Sequence, residues 1–582
     1  MSVRLATTAG FCMGVKRAVD MVLDLAQHTR KETIYTYGPL IHNPQTVELL
    51  KNRGIIPIQS LDEIGENAGA SLIIIRAHGI SPAERKKIKE KGLRIMDATC
   101  PRVGRVQAII KKHASRNYTV LIVGDEAHPE VNGLLGYTAG RGIVISGPDA
   151  VERLPDLDRV CVVAQTTQNP EEYRKLADKI RERFPQAAVF DTICDSTEKR
   201  QTEIRDLAAQ MDAMVIVGGR NSANTKRLAA LSEGRGTPTY HIETAEDLLE
   251  DALASVERIG VSAGASTPNW IIDRVVDTLT AYQAKKKGRF RILFNLWTWA
   301  VLTDTYSALG AAALCLTAIL LQELPVRPVS LLLAALYVYG VHTVNRVLNR
   351  RTSTVVGSFR EGSYRRHETA YLVTAVVSLI LSLGIGFLAG KATFLIILFM
   401  SVLGVLYNAA VLPRTWRFRS IRDLPGSKNI SMAIAWATVA AVLPQMAVHP
   451  AVTPGMGISF LFIFGLVFIR SALSDIQDIQ SDKLVGRETI PVLIGRDVTQ
   501  RLLKAVSVFL LLALFLAYAA NWSSPLSPFL SVTIFYLWIC FKVYDRKPGF
   551  SGVVGEGILE TSYIVTGICS GLWGLWASTH GI

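Results

Sequence analysis

The first half of this 582-residue sequence lacks any apolar run of membrane-spanning length, and it also lacks net charge. Of the 63 basic and 49 acidic side chains, 27 and 13 occur from Lys285 onward, which leaves 36 of each before it. The second half instead repeats long apolar segments and holds the whole excess of +14. A neutral first half argues against nucleic-acid binding, and basic residues beside apolar segments are typical of topology signals.

Several motifs are missing as well. No Cys-x-x-Cys or His-Glu-x-x-His spacing occurs, which argues against a zinc hydrolase, the competing class of enzyme. No nicotinamide fingerprint is visible. Residues 1–20 contain no long apolar core of a secretory signal, so we expect the first half to lie in the cytoplasm.

Strand-like runs alternate with helical patterns through residues 1–283. Residues 71–75, 119–123 and 213–217 are strand-like, and helical patterns follow them at 82–91, 131–138 and 225–231. This alternation predicts an α/β fold with mostly parallel sheets.

Three cysteines share one local setting, because Cys12, Cys100 and Cys194 each directly precede a helical pattern. A helix N-terminus favours a thiolate, so three α/β units could each deliver one thiolate to a common point. Three cysteines without a fourth fit an iron-sulfur cluster with one iron open to a substrate. Buried structural thiols are the alternative, and we expect that role for Cys161 in a strand-like run. Three further cysteines lie in apolar segments: Cys315, Cys540 and Cys569.

Polar residues follow several strand-like runs, at the sheet edge where α/β proteins bind ligands. They include His42, His78 and His128 and two loops of small residues, 218–224 and 262–268. Small residues permit close backbone approach to an anion. Together these segments predict an anion pocket.

These motifs resemble the IspH/LytB reductases over about 280 residues. The resemblance rests on Gly10-Phe11-Cys12, Arg76-Ala77-His78-Gly79, Ala98-Thr99-Cys100-Pro101, His128-Pro129-Glu130-Val131, Gln165-Thr166-Thr167 and Ala263-Gly264-Ala265-Ser266. It implies a trefoil of three α/β units around a 4Fe-4S cluster held by Cys12, Cys100 and Cys194. It also implies reductive dehydroxylation of 4-hydroxy-3-methylbut-2-enyl diphosphate to isopentenyl and dimethylallyl diphosphate, in the methylerythritol phosphate pathway of isoprenoid biosynthesis.

The same resemblance implies the roles of single residues. The diphosphate would be held by His42, His78, Ser222, Asn224 and Ser266, with His128 lining the pocket. Glu130 and Thr166 would handle the substrate hydroxyl and its proton. Ala223 replaces a common hydroxyl residue and removes one possible hydrogen bond, about 1 kcal/mol. Electrons would arrive from a ferredoxin- or flavodoxin-type protein.

The pattern of the second half predicts a membrane domain. After a basic linker, 284–298, nine apolar segments predict an all-α, nine-helix transmembrane domain over residues 299–582; they begin near residues 299, 329, 370, 391, 430, 456, 502, 526 and 558. Basic residues gather in the linker and in loops 346–366, 414–428, 483–501 and 542–547. The positive-inside rule places all five in the cytoplasm, as expected for a multi-pass protein of the inner membrane.

Residues 474–492 contain three aspartates, Asp475, Asp478 and Asp482, at a spacing that predicts one helical face. With Tyr407-Asn408 and Lys428-Asn429 they resemble the second aspartate-rich motif of the UbiA prenyltransferase superfamily, over residues 295–582. That resemblance implies Mg²⁺ ions that bind a prenyl diphosphate. A solvated, purely structural acidic turn is the alternative.

The first aspartate-rich motif of that superfamily, Asn-Asp-x-x-Asp, is altered, because arginines stand at 346 and 350. Arg346 and Arg350 cannot bind Mg²⁺ but could bind a diphosphate directly. Three interpretations of this half remain: an active or altered prenyltransferase, a catalytically silent binder of lipid or prenyl diphosphate, and a plain membrane anchor.

Overall fold

The structure is a computed structural model. It describes residues 2–28, 33–41, 43–64, 71–253, 256–284, 289–352, 367–409, 412–413, 420–485, 487–546 and 552–580. The chain divides into two compact units, Met1–Leu279 and Thr280–Ile582. The predicted domain limits at 283 and 298 stay a prediction. His42 and the side chains of Asn408 and Arg350 lie outside the described residues.

The first unit is built on parallel sheets. Its strands are β1 (Ser2–Leu5), β2 (Ile34–Tyr37), β3 (Ile55–Ile58), β4 (Leu72–Ile75), β5 (Arg94–Asp97), β6 (Thr119–Val123), β7 (Gly142–Ile145), β8 (Val160–Ala164), β9 (Ala188–Val189), β10 (Ala213–Val217), β11 (Thr239–Ile242) and β12 (Arg258–Ala263). Within the described residues they form three four-stranded sheets, ordered β1-β12-β10-β11, β3-β2-β4-β5 and β7-β6-β8-β9. Every pairing is parallel, so the predicted α/β class with parallel sheets is confirmed.

Helices connect these strands. They are α1 (Met13–His28), α2 (Pro44–Lys51), α3 (Pro82–Glu90), α4 (Pro101–Ala114), α5 (Pro129–Leu135), α6 (Pro148–Glu152), α7 (Pro170–Arg183), α8 (Asp195–Ala208), α9 (Ala223–Glu233), α10 (Glu250–Leu253) and α11 (Asn269–Ala284), with 3-10 turns at Leu61–Glu63 and Ala245–Asp247. Local sequence explains their starts, as in α3, where Ser81 and Glu84 form a capping box and Pro82 occupies the first turn. Cys100 and Cys194 occupy the N-cap positions of α4 and α8.

Among the inner strands, β4, β8 and β10 are buried along their whole length, and in β6 every residue but Thr119 is buried. A parallel strand covered by helices on both faces needs apolar residues at every position. In β6 the alternation separates two cores, because Leu121 and Val123 pack with residues of α7 while Val120 and Ile122 pack with residues of α4. The carboxyl ends of the inner strands therefore stay free to bear polar loops.

The second unit is helical. Its helices are Arg289–Leu302, Thr305–Leu321, Pro328–Thr352, Glu368–Ala389, Lys391–Asn408, Ser427–Ala437, Leu443–Val448, Pro454–Gln477, Ile479–Val485, Ile490–Ile494, Arg496–Ala519, Leu526–Phe529, Ser531–Arg546 and Gly552–His580, with a 3-10 turn at Ile421–Asp423 and a π turn at Thr438–Val442. Among the described residues, seven helices are long and apolar enough to cross a membrane. The chain is therefore a multi-pass membrane protein.

The start of this unit differs from the expected linker, because residues 289–298 are helical. Apart from its two arginines, this stretch is mostly apolar, and its helix continues to Leu302. Asp304, in the left-handed conformation at φ +59°, then separates it from Thr305–Leu321. The two helices Ile292–Leu302 and Thr305–Leu321 meet at 84° and raise the number of candidate spans to eight if they count as one.

Candidate functional site

The three cysteines Cys12, Cys100 and Cys194 are held by one repeated contact. Each follows a strand of a different sheet, and its backbone N–H donates to a carbonyl in the loop after a neighbouring inner strand. The pairs are Cys12 with Ala265 at 3.1 Å, Cys100 with Ala77 at 2.9 Å and Cys194 with Thr166 at 2.9 Å. Each cysteine is thus fixed to a loop that contains a predicted substrate-binding residue. That residue is the one whose carbonyl accepts the hydrogen bond, or its neighbour in the chain.

Short turns bring two of these cysteines to their helices. Asp97 accepts a hydrogen bond from the N–H of Thr99 at 2.9 Å, one residue before Cys100. Asp191 does the same for Ile193, one residue before Cys194, at 3.1 Å. A short acidic side chain favours such a turn, which explains the Asp-x-x-Cys spacing that occurs twice.

The thiol of Cys100 interacts electrostatically with those of Cys12 and Cys194. Burial raises the pKa of the Cys100 thiol, the N–H groups of Arg102 and Val103 oppose that shift, and the thiols of Cys12 and Cys194 add to it, so the three sulfurs act on one another. A Cβ at Gly14 would lie 2.6 Å from the Cys100 Sγ, so only glycine fits there. Among the described residues, no three His, Cys, Asp or Glu side chains gather closely enough for one metal ion. Thiolates of a polynuclear cluster bind different irons and stand farther apart.

Glu130 lies in the first turn of α5 and is 2% exposed. The backbone N–H of Thr166 donates to one carboxylate oxygen at 2.7 Å, and the Thr166 hydroxyl donates to the other at 2.9 Å. Burial raises the pKa of the Glu130 carboxyl, although Thr166 and Arg227 act in the opposite direction. The side chain therefore keeps its proton to a higher pH than an exposed glutamate, as a general acid requires.

Two histidines lie beside this carboxyl group. The rings of His78 and His128 stand edge to face, with centroids 5.4 Å apart. His128 accepts the N–H of Glu130 on its Nδ1 at 3.2 Å, which orients the ring. His78 follows Ala77, whose carbonyl holds Cys100. The structure thus brings two of the three predicted histidines together, while the third, His42, lies outside the described residues.

The predicted anion loops belong to the sheet β1-β12-β10-β11. Ser222 begins α9 and accepts the N–H of Thr225 at 3.3 Å, and Ala223 is the first helical residue. The Asn224 side chain is buried, and its Nδ2 finds no hydrogen-bond partner among the described residues. Ser266 follows Ala265, the partner of Cys12, and is also buried. A helix N-terminus with an open amide donor suits a phosphate group.

One charged contact of this site was not predicted from the sequence. Arg227 donates to both carboxylate oxygens of Asp125 at 2.9 and 2.8 Å and to the carbonyl of Thr167 at 2.9 Å. Gln165 accepts the N–H of Asp125 at 2.9 Å. Together they join the loop of Glu130 to the loop of Thr166. Arg227 lies within α9, 102 residues from Asp125, and no local spacing announces such a pair.

The acidic segment of the membrane unit departs from the expected single helical face. The helix Pro454–Gln477 ends at Asp478, whose N–H donates to the carbonyl of Asp475 at 3.2 Å, and a new helix begins at Ile479. Short acidic side chains compete with helical hydrogen bonding, which favours a break there. The three aspartates are therefore not on one continuous helix.

Side-chain hydrogen bonds hold Asp475 and Asp482 in place. Asp475 binds the Lys428 Nζ at 2.5 Å and the Asn429 amide at 2.8 Å. Asp482 accepts the hydroxyl of Thr489 at 3.2 Å. Burial raises the pKa of Asp482, while the positive charge of Lys428 opposes the shift. The structure gathers carboxylates around Lys428, and no metal-holding group of three occurs in the described part of the chain.

The arginine at the first-motif position also has a partner. Arg346 Nη2 lies 2.7 Å from the Asp304 carboxylate, which is fully buried at the bend before Thr305. Nearby in the same bundle, Arg470 pairs with Glu560 at 2.6 Å. Buried pairs of this kind leave little free charge for a ligand. The side chain of Arg350 lies outside the described residues.

Comparisons with known proteins match the two halves of the chain to two different family models. The family model described as LytB protein matches residues 3–280, and that of the UbiA prenyltransferase family matches residues 363–549. The 4-hydroxy-3-methylbut-2-enyl diphosphate reductase of Opitutus terrae is 45% identical over 289 residues, 48% of this chain and all of the relative. The same enzyme of Geobacter sulfurreducens is 42% identical over 288 residues, 50% of this chain and all of the relative. A UbiA homolog from Archaeoglobus fulgidus bound to DMAPP and Mg²⁺ aligns with a TM-score of 0.34 and 18% identity, over 47% of this chain and 98% of that structure. With relatives above 40% identity matched over their entire length, the chain belongs to the LytB family through its first half, and it contains a domain of the UbiA prenyltransferase family in its second.

Proposed function

We propose that the first half reduces 4-hydroxy-3-methylbut-2-enyl diphosphate to isopentenyl and dimethylallyl diphosphate. The reaction consumes two electrons and two protons, breaks the C–O bond to the hydroxyl group, releases water and forms one C–H bond. The hydrogen bonds of Thr166 support this proposal best. Thr166 donates to both carboxylate oxygens of Glu130, and its carbonyl accepts the backbone N–H of Cys194. A proton donor and a predicted cluster ligand thus share one anchor.

Cys12, Cys100 and Cys194 would hold a 4Fe-4S cluster in a trefoil of the three α/β units. When bound, the cluster supplies electrons and a Lewis-acidic iron for the substrate oxygen. The close approach of Gly14 to Cys100 and the shared field of the three thiols support this assignment. Electrons would come from a ferredoxin- or flavodoxin-type protein in the cytoplasm.

Glu130 performs the proton transfer in this proposal. Burial raises the pKa of its carboxyl group, which favours the protonated form, and the two hydrogen bonds from Thr166 hold that group in place. Donation to the substrate hydroxyl lets that oxygen leave as water. His128, which accepts the N–H of Glu130, lines the same pocket.

The diphosphate would bind at the other side of the pocket. Asn224 offers an unused amide donor at the N-terminus of α9, and Ser222, Ser266 and His78 complete the set with His42. These donors neutralise the diphosphate charge and exclude water from the reacting end.

Anaerobic purification of the intact chain tests this function. We expect iron and sulfide in equal amounts, a 4Fe-4S electronic spectrum, and conversion of the hydroxymethylbutenyl diphosphate to both products with a chemical reductant. Zinc as the only bound metal, or a cluster without turnover, would contradict the assignment.

For the second half we propose a prenyl-diphosphate site, used for transfer or for binding alone. The domain would cross the inner membrane nine times if the bent pair and the shorter helix Lys391–Tyr407 each count as one span. Asp475, Asp478 and Asp482, at and just after the end of the span Pro454–Gln477, would hold Mg²⁺. The ion pairs that already hold Asp475 and Arg346 are the observation behind the alternative, a plain membrane anchor. Mg²⁺-dependent binding of a long-chain prenyl diphosphate to the intact chain decides between them.

A further inference from the structure

Three arginines join the cysteine elements in a closed ring. Arg17 of α1, the helix after Cys12, donates to the carbonyl of Thr99 at 3.0 Å, one residue before Cys100. Arg102 of α4, the helix after Cys100, pairs with Asp195, which directly follows Cys194. Arg200 of α8, the helix after Cys194, donates to the carbonyl of Gly10 at 2.9 Å, two residues before Cys12. Each helix is thereby tied to the next cysteine segment.

Arg200 differs from the other two in its surroundings. It is 3% exposed, whereas Arg17 is exposed and the Arg102 side chain is 38% exposed. Its hydrogen bonds go to neutral carbonyls, those of Gly10 and, at 2.7 Å, Ala263. No carboxylate among the described residues lies within ion-pair distance of it. A buried cation without a direct ion pair is costly, so a further anion close by would stabilise it.

Nearby groups indicate which anion that is. Glu203, one turn further along α8, attracts Arg200 without forming an ion pair, because its carboxylate oxygens accept the N–H and hydroxyl groups of Thr7 and Thr8. The remaining groups that attract the Arg200 charge are Cys12 and Cys194. Both belong to the proposed cluster site.

We propose that Arg200 is the internal counter-charge of the iron-sulfur cluster, raising its reduction potential, and that it also locks the Cys194 helix to the Cys12 segment. This inference rests on the proposed cluster. Reduction adds negative charge, and a fixed positive charge in a low-dielectric interior stabilises the reduced state. Arg200 acts through the cysteines as a positioning residue and does not touch the substrate.

A potentiometric titration of the intact chain, followed by electron paramagnetic resonance, tests the proposal. In Arg200→Met the cluster should assemble, and the ratio of reduced to oxidised cluster at the wild-type midpoint potential should fall at least tenfold, which is about 59 mV for one electron. Arg200→Lys retains the charge and should stay within about threefold of the wild type. Arg174→Met is the control, and it should leave the midpoint unchanged because Arg174 pairs with Glu198 on the exposed surface.

Each outcome decides the question. A cluster of wild-type potential in Arg200→Met, or an equal shift in Arg174→Met, overturns the counter-charge role. If Arg200→Met assembles no cluster, the midpoint potential of Arg200→Lys decides. A wild-type midpoint supports the role of charge, and a tenfold change in the ratio of reduced to oxidised cluster refutes it. A wild-type protein without any 4Fe-4S cluster overturns the proposed function itself and this inference with it.

Discussion

Thr166 donates its backbone N–H and its hydroxyl to the two carboxylate oxygens of Glu130, at 2.7 and 2.9 Å. The carbonyl of the same threonine accepts the N–H of Cys194. A movement of this loop would shift the proposed acid and a proposed cluster ligand together. The geometry therefore links proton delivery to the position of the cluster site.

Glu130→Gln should retain the cluster and bind substrate but lose about 10²- to 10⁴-fold in turnover, because the amide keeps the shape of the carboxyl group and cannot deliver its proton. Anaerobic steady-state kinetics with a chemical reductant measure this. Glu126→Gln, an exposed glutamate in the same loop, is the control and should behave as the wild type. Near-normal turnover of Glu130→Gln would remove Glu130 from the mechanism.

The turnover number should fall as pH rises through the folded-state pKa of Glu130, because only the protonated form can act as an acid. That pKa is raised above its unfolded value, so the stabilisation linked to this proton is full at low pH and is lost as pH rises through the folded pKa. Thr166→Val removes a hydroxyl group whose hydrogen bond favours ionised Glu130. The fall in turnover should therefore move to higher pH in this variant. An unchanged pH profile in Thr166→Val would contradict the assignment.

Cys194→Ser should lower the iron content of the anaerobically purified protein to less than about a third of the wild type, because a serine at the start of α8 does not replace a thiolate ligand. Cys161→Ala is the matched control. Cys161 lies fully buried in β8, where burial raises the pKa of its thiol to about 12, so it serves as a small apolar residue. Equal iron loss in both variants would exclude a specific ligand role.

A chain shortened to end at Ala284 should be soluble and reductive, because α11 ends there and the first unit is charge-balanced. Gel filtration without detergent and the reductase assay check this. An aggregated or cluster-free product would place the limit of the reductase domain elsewhere.

Asp478→Asn should weaken Mg²⁺-dependent binding of a long-chain prenyl diphosphate about tenfold, because one carboxylate fewer holds the metal. Asp497→Asn, an exposed aspartate at the start of the next long helix, is the control. Arg350→Asp should also reduce binding if arginine replaces the first acidic motif. Binding that is absent or insensitive to Mg²⁺ in all of these proteins would leave only the anchor interpretation.

Much of the first unit was predictable because its signals are local. The uninterrupted apolar runs of β4, β6 and β10 predict buried parallel strands, and the structure places strands there. Asp97 and Asp191 make turns with residues two positions ahead, so the cysteine setting could be recognised before any contact was known. Apolar length likewise predicted the membrane half.

By itself, the sequence determined the class of fold, the order of its elements and the local chemistry at each helix start. Only the tertiary structure decided which charges neutralise one another, as between Arg227 and Asp125, Arg346 and Asp304, and Lys428 and Asp475. It also placed Arg200 beside the cysteine segments and ended a helix at Asp478. Such pairings depend on distances between residues far apart in the chain, and the energy of a buried charge is set by those distances and by the exclusion of water.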